Sequence, residues 1–175
     1  MEKLQDFIKE FNIVKIDNSN IEDVFHVCKK NCKYYKYLQE EATLDSVKSI
    51  MTDLPPNKTM KDKYFVGFYK CNNLVAILDL IDGYPNRENA FIGLFMVDMN
   101  NQNSGVGKQI ISQLISFLKS EKYYSCDLGV IEDNKEALCF WGKLGFERTG
   151  VVYTHEKYKV IMMTYLLWFI NNLKK

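Results

Sequence analysis

Residues 102–108 read "QNSGVGK", a polar heptapeptide with glycines one residue apart. It lies between the apolar run "AFIGLFMV" (90–97) and the helix-patterned run "QIISQLISFLKS" (109–120). Without Cβ atoms such a segment turns through conformations closed to other residues and lets a ligand approach the backbone. Successive N–H groups converge there, and the following helix adds its positive end. The combination suits a phosphate or diphosphate. A triphosphate loop needs G-x-x-x-x-G-K-[ST], but Gln109 follows Lys108 and no glycine stands five residues before Gly107. A dinucleotide fingerprint needs G-x-G-x-x-G, and its third position holds Ile110. What remains is Q-x-x-G-x-G on Gln102, Gly105 and Gly107. A plain strand–helix loop would carry the same glycines, so the pattern alone does not decide.

Outward from the loop, strand and helix patterns alternate. "FNIVKI" (11–16) predicts an opening strand. "SNIEDVFHVCKKNC" (19–32) sets Val24, Val27 and Cys28 at helical spacing behind Ser19 and Asn20, and "TLDSVKSIMTDL" (43–54) predicts a second helix ended by Pro55-Pro56. The tyrosine-rich "KYYKYLQEE" (33–41) reads as a connection. "KYFVGFY" (63–69) and "LVAILDLI" (74–81) flank "KCNN" as a hairpin, and "AFIGLFMVD" (90–98) follows as a strand. A helix over 105–120 puts Val106, Ile110, Ile111, Leu114, Ile115 and Leu118 on one stripe. "YYSCDLGVI" (123–131) is a strand, and "NKEALCFWGKLGF" (134–146) a helix capped by Asn134 and stopped at Gly145. "GFERTGVVY" (145–153) and "KYKVIMMTYL" (157–166) close as an antiparallel pair. The order, β α α β β β α β α β β, predicts an α/β (α+β) chain with a mixed sheet of about seven strands and about four helices on its faces.

At 175 residues, with 47% hydrophobic residues and no repeat or linker, one domain over 1–175 is expected. Lys plus Arg number 23 and Asp plus Glu 22, a formal charge of +1, so the basic field that nucleic acid demands is missing. "MEKLQDFIKEF" has no apolar segment of the kind a secretory signal carries. "VIMMTYLLWFI" (160–170) has 11 apolar-run residues against the roughly 20 of a bilayer span, and reads as a buried strand or helix. A cytoplasmic protein with five reduced cysteines and no membrane partner is expected. Cys28 and Cys32 share a helical face, but with no second pair and only two histidines no metal site is expected.

"QNSGVGK", a strand, then "NKEALCFWGKLGF" resembles the GNAT acetyltransferases, whose motifs are [RQ]-x-x-G-x-[GA] and roughly N-x-x-A-x-x-F-Y-x-x-x-G-F. The second falls on Asn134, Ala137, Phe140, Trp141, Gly145 and Phe146. The resemblance is firm over about 90–146. It implies a mostly antiparallel sheet in which acetyl-CoA lies in a V where strands 4 and 5 splay. The backbone at Met96, Val97 and Asp98 would pair with the pantetheine arm. The N–H groups of Gln102, Asn103, Ser104, Gly105, Val106, Gly107 and Lys108 would hold the pyrophosphate, and valine at Gly107 would intrude on it. Asn134 would bond the pantetheine amide region, and Phe140 and Trp141 would line the thioester end. Plain capping for Asn134 and core packing for Phe140 are the competing readings.

The implied chemistry is acetyl transfer to an amine of a small molecule or side chain. A free amine with a pKa of about 10.4 must first lose a proton, and the tetrahedral oxyanion needs a donor. The sequence departs from the family pattern where catalysis is concerned. The helix tyrosine is Trp141, whose indole cannot protonate a thiolate. The two positions where relatives keep a glutamate are Phe91 and Gly129. Asp79 interrupts an apolar strand, which is costly unless paired, exposed or functional. Asp79 and Tyr84 are therefore the candidate catalytic residues, with the solvent face and loop packing as competing readings. Tyr34, Tyr35 and Tyr37 border the expected acceptor pocket, Asp82 and Glu88 read as loop charges, and His155 as solvated. The missing acid and base keep open a catalytically silent CoA-binding module. The apolar end "YLLWFINNLKK" leaves a homodimer open.

Overall fold

The computed structural model describes residues 2–168. Its strands are β1 (Asn12–Lys15), β2 (Lys63–Lys70), β3 (Asn73–Asp82), β4 (Asn89–Val97), β5 (Ser125–Ile131), β6 (Glu147–Thr154) and β7 (Lys159–Leu166). They form one sheet in the order β1-β2-β3-β4-β5-β7-β6. Among these described strands only β4 and β5 run parallel. The helices are α1 (Glu2–Phe7), α2 (Ile21–Lys30), α3 (Cys32–Leu38), α4 (Leu44–Thr52), α5 (Val106–Ser120) and α6 (Lys135–Lys143).

Strand alternation divides the core. Val66, Phe68, Leu78, Leu80 and Ile92 face Leu4, Ile8, Ile110, Ile111, Leu114 and Leu138, from α1, α5, α6 and the residue after α1. Phe65, Ile77, Leu94 and Met96 face Val24, Val27, Cys28, Tyr35 and Val47, from α2, α3 and α4. With helices on both faces, β2 and β3 read as near-continuous apolar runs.

Six α-helices are described where four were expected. The connection at 33–41 is helical over Cys32–Leu38 because Tyr35 turns into the cluster holding Cys28 and Val47. The first residues form α1 because Leu4 and Ile8 bury against α5 and β2. In both places packing stabilises a turn or two that periodicity is too short to reveal. The run at 160–170 is β7 as far as Leu166, and residues 169–175 of the apolar end lie outside the described residues.

β4 and β5 pair only from Asn89–Ile92 against Ser125–Leu128. A side-chain network holds that paired half. Asn89 Nδ2 donates to Ser125 Oγ at 2.6 Å and to Asp127 Oδ2 at 2.8 Å, and Thr164 of β7 donates to Asp127 Oδ1. Beyond Ile92, β4 continues to Val97 without β5, which pairs with β7 as far as Ile131. The strands splay there.

Candidate active site

The splay encloses a cavity of about 210 Å³, walled by Gly93–Phe95 of β4, Leu128–Ile131 of β5, Asn134, Ala137 and Trp141 of the α6 segment, and Tyr34, Leu38 and Tyr158. A larger groove of about 510 Å³ runs between α2 and the β2–β3 turn, past Lys30, Lys70 and Asp98. It is open to solvent and lies at the turn end of the β2–β3 hairpin rather than at the splay, so the smaller cavity is the better slot for an extended ligand.

Asp98 N–H donates to Val75 O of β3 at 2.9 Å. Alternation sends the Met96 groups the same way and those of Phe95 and Val97 to the open edge. Of the three backbone positions expected to meet the cofactor arm, Val97 therefore faces the open edge, where its carbonyl already accepts from Asn31 Nδ2 and Gln102 Nε2, while Met96 and Asp98 face β3. Phe95, unmarked in the sequence, takes their place. Asp79 pairs with Leu94 and Leu80 with Ile92, so Gly93 is the extra residue of a β-bulge at the start of the splay.

After β4, Asp98 starts a 3-10 turn (Met99–Asn101), its Oδ2 accepting from Asn100 N–H at 3.0 Å and its Oδ1 from Lys30 Nζ at 3.2 Å. Asn103 (φ 57°) and Gly105 (φ 89°) take left-handed conformations. Gly105 is the N-cap of α5, whose Gln109 N–H donates to Gly105 O at 2.9 Å. The N–H groups of Val106, Gly107 and Lys108 precede that bond and stand at the helix's positive end. Ser104 Oγ donates to Asn101 O at 2.6 Å. A Cβ on Gly105 would meet nothing within 4 Å, whereas one on Gly107 would lie 3.3 Å from Val97 and 3.4 Å from Phe140. Gly107 thus seats helix against strand, and valine there would first strike protein. Gln102 points away from the helix end: its Nε2 donates to Asn31 Oδ1 at 2.7 Å and Val97 O at 3.2 Å.

Asn134 caps α6, its Oδ1 accepting from Ala137 N–H at 3.1 Å, and also lines the cavity. Trp141 lines the cavity from a buried position, edge-on to Phe146 at 4.9 Å. Phe140 stacks on Phe95 at 6.4 Å behind Gly107. It packs under the loop rather than into the slot.

Asp79 is buried on the α2–α4 side. Its Oδ2 accepts from Lys63 Nζ at 2.7 Å, and Lys63 also donates to Asp53 O at 3.0 Å. Asp79 Oδ1 is buried without a hydrogen-bond partner. Burial pushes the carboxyl above its ordinary range, against the opposing pull of Lys63. Asp79 Oδ2 lies 2.6 Å from where a Gly93 Cβ would stand, so the carboxylate fills the side-chain space of the bulge residue that lines the cavity. Tyr84 stands apart from the cavity, edge-on to Phe91 at 5.4 Å near the paired end of β4. Of the tyrosine cluster, Tyr34 lines the cavity, its phenol pushed by burial to about 12, and Tyr35 enters the core. Tyr158, unmarked in the sequence, joins Tyr34 from the turn between β6 and β7; His155 in that turn is exposed. Among the described residues no group of three or more His, Cys, Asp or Glu is placed to hold a metal ion, and no helix is long and apolar enough to cross a membrane.

A splayed parallel pair followed by a glycine-capped helix is the arrangement that the resemblance implied. The chain belongs to the acetyltransferase (GNAT) family, whose profile matches residues 26–146. Among solved structures it is similar to the ribosomal-protein-S18-alanine N-acetyltransferase from Escherichia coli, with TM-score 0.68 and 13% identity over 94% of this chain and 99% of that one. An acetyltransferase from Thermus thermophilus gives 0.71 and 17% over 89% and 96%. Ard1 from Thermoplasma volcanium gives 0.67 and 21% over 91% and 99%. At such identities these likenesses concern the fold. A search of the curated proteins finds no significant match.

Proposed function

We propose that the protein is an acetyl-CoA-dependent N-acetyltransferase acting on an amine of a small molecule or a side chain. The observation that supports this reading is the edge of β4 beyond Ile92, left unpaired by β5 beside the cavity at Gly93–Phe95, with the glycine-capped start of α5 following after the turn that ends the strand. An extended pantetheine arm can add to that edge like a strand, and a diphosphate fits the amides of Val106–Lys108. Asn134, on the cavity wall, would then meet the pantetheine amide region, and Trp141 the thioester end. Holding both reactants in one slot supplies much of the rate.

A base must take the ammonium proton. Asp79 is our candidate, because its second oxygen has no partner and its carboxylate abuts the bulge residue of the slot. A carboxyl raised by burial is a stronger base than an exposed one. Tyr84 is the weaker candidate for its distance from the cavity. Tyr34 and Tyr158, which line the slot, are the better-placed tyrosines for a hydrogen bond to the departing thiolate.

The test is ligand-dependent stability followed by turnover. Acetyl-CoA at a hundred times its dissociation constant should stabilise the fold by about 2.7 kcal/mol, a rise of about 5–10 °C in melting temperature. Free CoA thiol should then accumulate only when an amine acceptor is added. No thermal shift with either acetyl-CoA or CoA would overturn the reading. A shift with no thiol release across a broad amine panel would favour a silent CoA-binding module.

A further inference from the structure

α2 ends where the proposed cofactor loop begins, and the contact between them is made by side chains. Asn31 is buried, at 9% exposure, at the junction of α2 and α3. Its Nδ2 donates to Val27 O at 2.8 Å and to Val97 O at 3.2 Å, and its Oδ1 accepts from Gln102 Nε2 at 2.7 Å. Gln102 Nε2 reaches Val97 O as well, at 3.2 Å. One carbonyl at the end of the open edge is thus shared by two side-chain amides that also bond each other. One residue earlier, Lys30 holds Asp98, which caps the 3-10 turn leading into the loop.

We infer that Asn31 is a positioning residue for the cofactor: it fixes Gln102 to the end of β4 and so sets the direction in which the Gly105–Lys108 amides point. Gln102 serves the diphosphate without touching it, as the strut between loop and α2. Both of its contacts are donations, so the position requires a donor of two hydrogen bonds. A buried asparagine that only capped a helix would satisfy local backbone groups; this one reaches across 71 residues of sequence.

The inference rests on the acetyl-CoA reading, and calorimetric titration with CoA, which needs no acceptor, separates the two. Asn31→Ala keeps the backbone bonds of the junction, and Gln102→Ala reads the same contact from its solvent-facing end, where folding is not at stake. Each should weaken CoA by about tenfold, the order of one or two hydrogen bonds lost between ordered groups. The double variant should lose about the same tenfold rather than a hundredfold, because both side chains act through their mutual bond and the one Val97 carbonyl. Gln102→Arg, which can donate to both acceptors, should restore near wild-type affinity, and Gln102→Glu should not. Unchanged affinity in both single variants while wild type binds, or multiplying losses in the double, overturns the inference alone. A wild type that does not bind CoA takes the functional reading and the inference down together.

Discussion

Asp79 and Lys63 show how one residue's meaning depends on a neighbour that sequence distance hides. An aspartate in an apolar strand invites a catalytic reading, and the structure adds a buried ammonium at 2.7 Å. Removing one member leaves the other charge unpaired, so Asp79→Leu alone should cost about 3–5 kcal/mol in urea unfolding. Joining it with Lys63→Met should recover most of that loss, since apolar replacement of a buried pair is often neutral. The pH dependence has a definite sign. The folded-state pKa of Asp79 is raised from 3.8, so its contribution to stability is full below that value and is lost as pH rises through the folded value. Asp79→Asn should flatten this part of the unfolding profile. If Asp79 is the base, the same variant should also remove the acid limb of the pH–rate curve; a limb that persists retires Asp79 from catalysis.

At the scale of the element, the splay is set by where pairing stops. Asp127 accepts from Asn89, Ser125 and Thr164, tying β4, β5 and β7 at the paired end. Asp127→Ala leaves three donors in a partly buried site, at about 1–3 kcal/mol, and loosens the hinge of the V. The expected result is lower stability together with weaker CoA binding. Weaker stability with unchanged binding would show that the bulge at Gly93 alone opens the strands. The loop glycines divide by the same geometry. Gly105→Ala meets no atom and should cost about 1–2 kcal/mol through its left-handed backbone alone, whereas Gly107→Val should lose packing against Val97 and Phe140 as well.

Across the whole molecule, α3 and the two residues after it close the cavity by contacts to both neighbours. Lys33 pairs with Glu136 of α6, Glu40 with Lys157 at 3.7 Å, and Gln39 Nε2 donates to Lys157 O at 2.8 Å. These are exposed pairs, screened by salt and weak as stabilisers. Lys33→Ala with Glu40→Ala should leave the melting temperature nearly unchanged yet speed amide exchange across residues 33–38, as expected of a segment near the low-stability end of a fold. Unchanged exchange would place the hold on α3 in Tyr35 and the core instead.

Periodicity, turn residues and two spaced motifs were enough to determine the strand order along the chain, the amphipathic α5 and α6, and the glycine loop between β4 and α5. All of these are local, because side-chain alternation and helical stripes repeat within a few residues. What tertiary structure alone decided is how the faces line up. The β-bulge between Phe68 and Tyr69 shifts the hairpin register by one, setting Phe65 rather than Tyr64 opposite Asp79 and bringing Lys63 to the same face. A one-residue slip exchanges every side chain between faces, and no short pattern records it. The same holds for α3, for Tyr158 at the cavity and for the grip of Asn31 on Gln102, where the contact free energy belongs to residues far apart in sequence.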